Sequence, residues 1–173
     1  MIPPTSKSGS EFNDPPASPK LKSSMISDLP PDLEAWKRSI KLKILLYLPN
    51  DNTVGARLLR LIERLAFNEE IEIYRKIDSL IKRLRKSTYD IDVSCLMIAN
   101  KKQLSGFLPF KELLRNLKTI LILPDREHYT ISSGHEFYPR YISFIDGDFT
   151  DIGEVLEKMI KNKQRMQRQM ISD

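Results

Sequence analysis

Ile44-Leu45-Leu46-Tyr47-Leu48 is followed by Pro49-Asn50-Asp51-Asn52 and then by the stretch TVGARLLRLIERLAF, residues 53–67. The apolar run is continuous rather than alternating, which is the pattern of a strand covered on both faces. Proline and three turn formers end it. In the segment that follows, Val54, Leu58, Leu61, Ile62 and Leu65 fall on one stripe at helical spacing. A helix is therefore predicted over Thr53–Phe67, with Asn52 or Thr53 as its cap.

This strand–helix unit repeats down the chain. A short alternating run, Ile71-Glu72-Ile73-Tyr74, suits an edge strand, and a helix over Ile77–Lys86 follows it. Val93 to Ala99 is again almost wholly apolar. Cys95 lies inside this run with no base to activate it, so it reads as an inert core thiol. The polar stretch Asn100–Gly106 is expected to be a loop, leading to a helix near Phe110–Asn116. The fourth strand is Thr119–Leu123, closed by Pro124-Asp125. Arg126–Pro139 is expected to be irregular, with Ser132-Ser133-Gly134 breaking any helix. The fifth strand is Tyr141–Ile145. A last helix begins near Thr150, capped by Asp148 or Thr150, and carries Ile152, Val155, Leu156, Met159 and Ile160 on one face. It can extend to Met166 and Met170 as a dimerising or partner-binding arm.

Five strands alternating with helices predict a three-layer α/β fold with a parallel sheet and right-handed crossovers. The flavodoxin-like strand order, 2-1-3-4-5, fits this length. Strands 1, 3 and 4 are the most apolar and should be central.

Composition narrows the function classes. Among 173 residues, 40% are hydrophobic and 29% charged, as in a globular protein. No apolar run nears the roughly 20 residues needed to cross a bilayer, and the first residues are polar. A single cysteine excludes an internal disulfide and a thiolate zinc cluster, and fits a reducing, cytoplasmic setting. Only two histidines, His128 and His135, are present, and both read as exposed loop residues. Six glycines, none in a phosphate-cradling array, argue against a nucleotide or flavin cofactor. No metal or other cofactor is expected.

Residues 1–36 are rich in proline and serine and carry three basic against five acidic residues. They are expected to form a disordered tail or linker. A short helix over Pro31–Ser39 would let Trp36 pack on the domain edge. The domain itself is expected over residues 37–173. The chain beyond residue 36 holds 25 basic and 18 acidic residues, a net +7 against −2 for the first 36, so the basic excess resides in the folded part. Lys82, Arg83, Arg85 and Lys86 form one dense basic patch; Lys158, Lys161, Lys163, Arg165 and Arg168 form another. A solvated helix face is the plainer reading of each.

The order of elements and the Asn50-Asp51 turn make the stretch from about Lys41 to Lys163 resemble the receiver domain of two-component response regulators. The resemblance implies an acidic pair after strand 1, a phosphorylated aspartate ending strand 3, a hydroxyl after strand 4 and a lysine after strand 5. This sequence has Asn50 and Asp51, then Ala99-Asn100, then Leu123-Pro124, then Ile145-Asp146 at those places. An amide or methyl group cannot form an acyl phosphate. With at most one acid of the pair kept, Mg²⁺ would have too few hard oxygen ligands, and the phosphoryl charge would be unscreened. The reading is a degenerate receiver, or pseudo-receiver, without phospho-acceptor chemistry.

Three functions compete. The first is a non-catalytic signalling or protein–protein interaction module, which can form a homodimer. In receivers the face of helix 4, strand 5 and helix 5 is a usual docking surface, and here Tyr129, Tyr138, Tyr141 and Phe149 concentrate in that stretch. The second is a nucleic-acid-associated regulator using the basic helix patches, although no recognised binding motif supports it. The third, an enzyme, is weakest because no nucleophile–base set is present. Asp51, Asp125, Asp146 and Asp148 could gather at one edge around a cation, but turn and cap duty is the preferred account.

Overall fold

The structure, a computed structural model, describes residues 41–49 and 53–172. The expectations for the proline-rich tail, for a helix around Trp36 and for Asn50, Asp51 and Asn52 lie outside the described residues.

Five strands form one fully parallel sheet in the order β2-β1-β3-β4-β5. They are β1 (Lys43–Tyr47), β2 (Glu70–Tyr74), β3 (Val93–Met97), β4 (Thr119–Leu123) and β5 (Tyr141–Phe144). The helices are α1 (Thr53–Leu65), α2 (Ile77–Lys86), α3 (Lys101–Phe107), α4 (His128–His135) and α5 (Thr150–Ser172). The fold is the expected flavodoxin-like one. Every residue of β3 and β4 is buried, whereas β2 and β5 are largely half-exposed. Continuous apolar runs thus occupy the centre and mixed runs the edges.

Alternation along each central strand builds two cores. Ile44, Leu46, Cys95, Met97, Ile120 and Ile122 face one way and pack with α1 and α5 through Leu58, Ile62, Ile152 and Leu156. Leu45, Tyr47, Leu96, Leu121 and Leu123 face the other way, against Leu80, Leu84, Leu104, Phe107 and Phe137. A fully buried Leu or Ile contributes about 1.5–3 kcal/mol, so the doubly covered strands carry most of the stability. The buried hydroxyls within the sheet satisfy each other: Ser94 and Thr119, paired in register, are bonded at 2.8 Å.

Three expectations are corrected. The polar segment after β3 is a helix, α3, and not a loop. Asn100 caps it by accepting from the Gln103 N–H, while Gln103 Oε1 accepts from the Ala99 N–H. This is a reciprocal cap that offsets a weak apolar pattern. The chain then tightens into a 3₁₀ helix, Leu108–Leu114, where a regular helix over Phe110–Asn116 was expected. The segment after β4 is likewise helical over His128–His135. Gly134 does not break α4. It lets the helix press onto β4, because a Cβ there would stand 2.9 Å from Leu123 Cδ1 and 3.3 Å from Leu121 Cδ2.

Gly106 and Gly134 should therefore respond oppositely to substitution. Gly134→Val is expected to lower stability by about 1–3 kcal/mol through overpacking. A Cβ at Gly106 in α3 meets nothing within 4 Å. Gly106→Ala is thus expected to raise stability by about 0.5–1 kcal/mol. Urea unfolding of both variants checks the pair, and equal effects would remove the close-packing account of Gly134.

Candidate functional site

In an open parallel sheet, ligands gather beyond the carboxyl ends of the strands. Here that edge is built from the segments after β3, β4 and β5. Asn100 serves as the α3 cap. Pro124 is half-buried. Asp125 turns back to accept the Glu127 N–H at 3.0 Å. Its carboxyl is held below the usual range, first by the Thr130 hydroxyl and then by that N–H. Asp146 pairs with Arg126, whose guanidinium lies 4.2 Å from the Phe144 ring centroid. Asp148 accepts the Thr150 N–H at 3.0 Å, and this bond and the Thr150 hydroxyl hold its carboxyl below the usual range. Lys101 pairs with Glu127 at 2.5 Å.

Asp125, Asp146 and Asp148 thus perform turn, pairing and cap duty, each at its own place. Among the described residues no group of three His, Cys, Asp or Glu side chains is arranged to hold a metal ion. Cys95 is buried, and desolvation pushes its thiol up to about 12. A thiol that stays protonated is a poor nucleophile. His128 and His135 stand exposed at the two ends of α4.

The expected aromatic face divides. Tyr129 is 54% exposed and Tyr138 is 40% exposed. Tyr141 is half-buried and donates to Asp151, which also accepts from Ser143. Phe149 leaves the candidate surface altogether. Its backbone takes a left-handed φ of 66°, and its ring lies in the core beneath the Arg57 guanidinium. A residue bounded by Asp148 and Thr150 looked peripheral in sequence, but the backbone turn directs it inward.

The first basic patch also divides. Arg83 Nε bonds Glu72 at 2.8 Å, and its Nη2 bonds Asp90 at 2.6 Å. Lys43 joins the same network, reaching Glu70 and Glu72 at 3.1 Å and Asp90 at 3.2 Å. Partial burial alone would raise Glu72, but the hydrogen bonds from Arg83 and Lys43 outweigh it and hold the carboxyl below its usual range. Arg83 thus ties α2 to β2 and to the turn before β3. Arg85 sits 5.7 Å from the Phe110 ring, and Lys82 and Lys86 are exposed. Within the second patch, Lys163 pairs with Asp92 at 2.5 Å and Lys161 with Glu157 at 2.7 Å.

At the opposite, amino edge of the sheet lie two adjoining shallow clefts. One, of about 380 Å³, is lined by Arg85, Thr88, Tyr89 and Asn116; the other, of about 480 Å³, by Arg115, Asn116, Lys118, Tyr138 and Arg140. Sequence reasoning missed this edge because its residues come from the ends of four separate segments. The signal available in sequence was the recurrence of a cation just before β4 and just before β5.

No family model and no curated protein matches the sequence. Solved structures do match in shape. A pilus assembly-related protein of Burkholderia pseudomallei aligns with a TM-score of 0.52 at 14% identity, over 72% of this chain and 90% of that one. A chain in which residues 181–211 of the yeast Spc42 trimeric coiled coil are fused to another structure aligns with a TM-score of 0.50 at 12% identity, over 76% and 85% of the two chains. Identities this low speak to the fold alone, which is flavodoxin-like. No helix among the described residues is long and apolar enough to cross a membrane.

The Arg83 network yields a pH-dependent expectation. Arg83→Ala should cost about 1–2 kcal/mol at neutral pH, since it strips Glu72 and Asp90 of a charged partner. Both carboxyls are lowered in the folded state. Their contribution is therefore present above the unfolded carboxyl value of about 4 and is lost as pH falls through the lower folded value. Melting curves of the two proteins should converge in acid; a gap that persists there would assign Arg83 to packing rather than charge.

Proposed function

We propose that this protein is a pseudo-receiver: a non-catalytic module that signals by binding another protein. One observation carries the reading. The described groups at the carboxyl edge of the sheet, those after β3, β4 and β5, are committed to caps and pairs. Asn100 caps α3, Asp125 and Asp148 close turns, and Arg126 holds Asp146. A phosphoryl switch needs an acceptor carboxylate, hard ligands for Mg²⁺ and a cation for the developing charge. Where a receiver has its acceptor, this chain has Ala99 and Asn100.

Shape then becomes the signal, and the surface around α4, β5 and α5 is the favoured docking face. Tyr129 is its exposed aromatic anchor. A protein partner is the favoured ligand, and a second copy of the chain is the alternative.

Two measurements test this. Incubation with acetyl phosphate and Mg²⁺ is expected to leave the intact mass unchanged, and a Mg²⁺-dependent gain of one phosphate would end the pseudo-receiver reading. Tyr129→Arg is expected to weaken partner capture from the native source about tenfold or more while leaving the circular dichroism unchanged. Undiminished capture would move the interface off this face.

A further inference from the structure

The two clefts at the amino edge of the sheet run into one another at Asn116. Together they lie beneath β3, β4 and β5, on the side away from the receiver-like corner. Their cations are anchored at fixed points. The Lys118 carbonyl accepts the Ser94 N–H at 3.1 Å, and the Arg140 N–H donates to the Thr119 carbonyl at 2.7 Å. The backbone at both positions is thereby held by the sheet itself. The side chains of Lys118 and Arg140 are exposed. Neither has an acidic partner among the described residues. Arg115 lines the same cleft, with its guanidinium 5.0 Å from the Tyr138 ring centroid; Glu112 contacts Arg115 at 3.4 Å and the Tyr138 hydroxyl at 3.2 Å.

Two aromatic rings accompany these cations. Tyr89 is wholly exposed, at 101%. Tyr138 has a φ of 54°, a left-handed backbone that follows the end of α4 and that glycine would fill without strain. A bulky residue held at such an angle points to a role for its side chain. The apolar residues that line the clefts, Leu84, Ile91 and Leu117, are 4–6% exposed and belong to the core. A peptide would find no apolar pocket here. A long anion with stackable faces would find cations at fixed points and two rings.

We infer that this edge binds single-stranded nucleic acid, with Arg115, Lys118 and Arg140 on phosphates and Tyr89 and Tyr138 stacking on bases. This goes beyond the protein-docking reading and uses a different face of the molecule. It also replaces the helix patch around Arg83, whose guanidinium is engaged within the fold.

The full 173-residue chain is titrated into a fluorescein-labelled oligonucleotide of about 12 nucleotides, within the range of single-strand site sizes. RNA and DNA versions are compared, and anisotropy is read at several salt concentrations. Binding at low salt is expected, with log K falling by about 2 per unit of log salt for three phosphate contacts. Lys118→Gln combined with Arg140→Gln should reduce that slope by about 1.4. Lys158→Gln on the distant α5 patch should leave the double variant's effect intact. Tyr89→Ala should weaken binding about tenfold without changing the melting temperature, because the ring rests on nothing. Tyr138→Gly should weaken it similarly while relieving the backbone. The inference is overturned by absence of binding at low salt, or by a slope indifferent to Lys118 and Arg140. It is equally overturned if polyglutamate of matched charge displaces the probe as well as unlabelled oligonucleotide does, which would assign the clefts to acidic peptides.

Discussion

Burial of β1, β3 and β4 on both faces is the constraint from which the remaining architecture follows. A strand apolar on two sides cannot end a protein layer, so helices must cover each face. Odd and even positions along the same strand therefore serve different cores. Cys95 and Met97 pack toward α1 and α5, while Leu96 and Ile98 pack toward α2 and α3. A register slip of one residue would exchange the two sets, and each helix would meet the wrong surface. That requirement accounts for the tight fit at Gly134, where α4 is pressed against Leu121 and Leu123.

Polar groups arrange themselves around this frame by local rules. Short side chains that follow each strand satisfy the first turn of the next helix, as Asn100 does for α3 and Asp148 for α5. Charge enters at the edges. The network of Lys43, Arg83, Glu72 and Asp90 joins the outer strand β2 to the turn that precedes β3, where apolar packing is thinnest. In a receiver the carboxyl edge would be reserved for phosphoryl chemistry. Here its described groups are drawn into structural bonds, and Lys118 and Arg140, without an acidic partner among the described residues, stand at the other end of the sheet.

Low sequence identity with similar shape is what such a frame allows. Many apolar residues can fill a doubly covered strand, provided that volume and alternation are kept. The similarity to the pilus assembly-related protein, at 14% identity, therefore carries architecture without function.

The fold class was legible in the residues themselves, because hydrophobic runs and helical stripes are local patterns. Strand order, central and edge strands, and the burial of Cys95 all followed from them. The capping pair Asn100 and Gln103 was also present in sequence, yet the surrounding Lys101, Lys102 and Gly106 masked the helix it begins. Tertiary structure alone decided the rest. Arg83 reads as one of four like charges until Glu72 and Asp90 are brought to it from other segments. Phe149 reads as a surface aromatic until a left-handed turn carries it inward. The amino-edge clefts exist only because parallel strands set the starts of β3, β4 and β5 side by side. Local periodicity specifies what a segment becomes; contacts between distant segments decide which charges are neutralised and which remain free to bind.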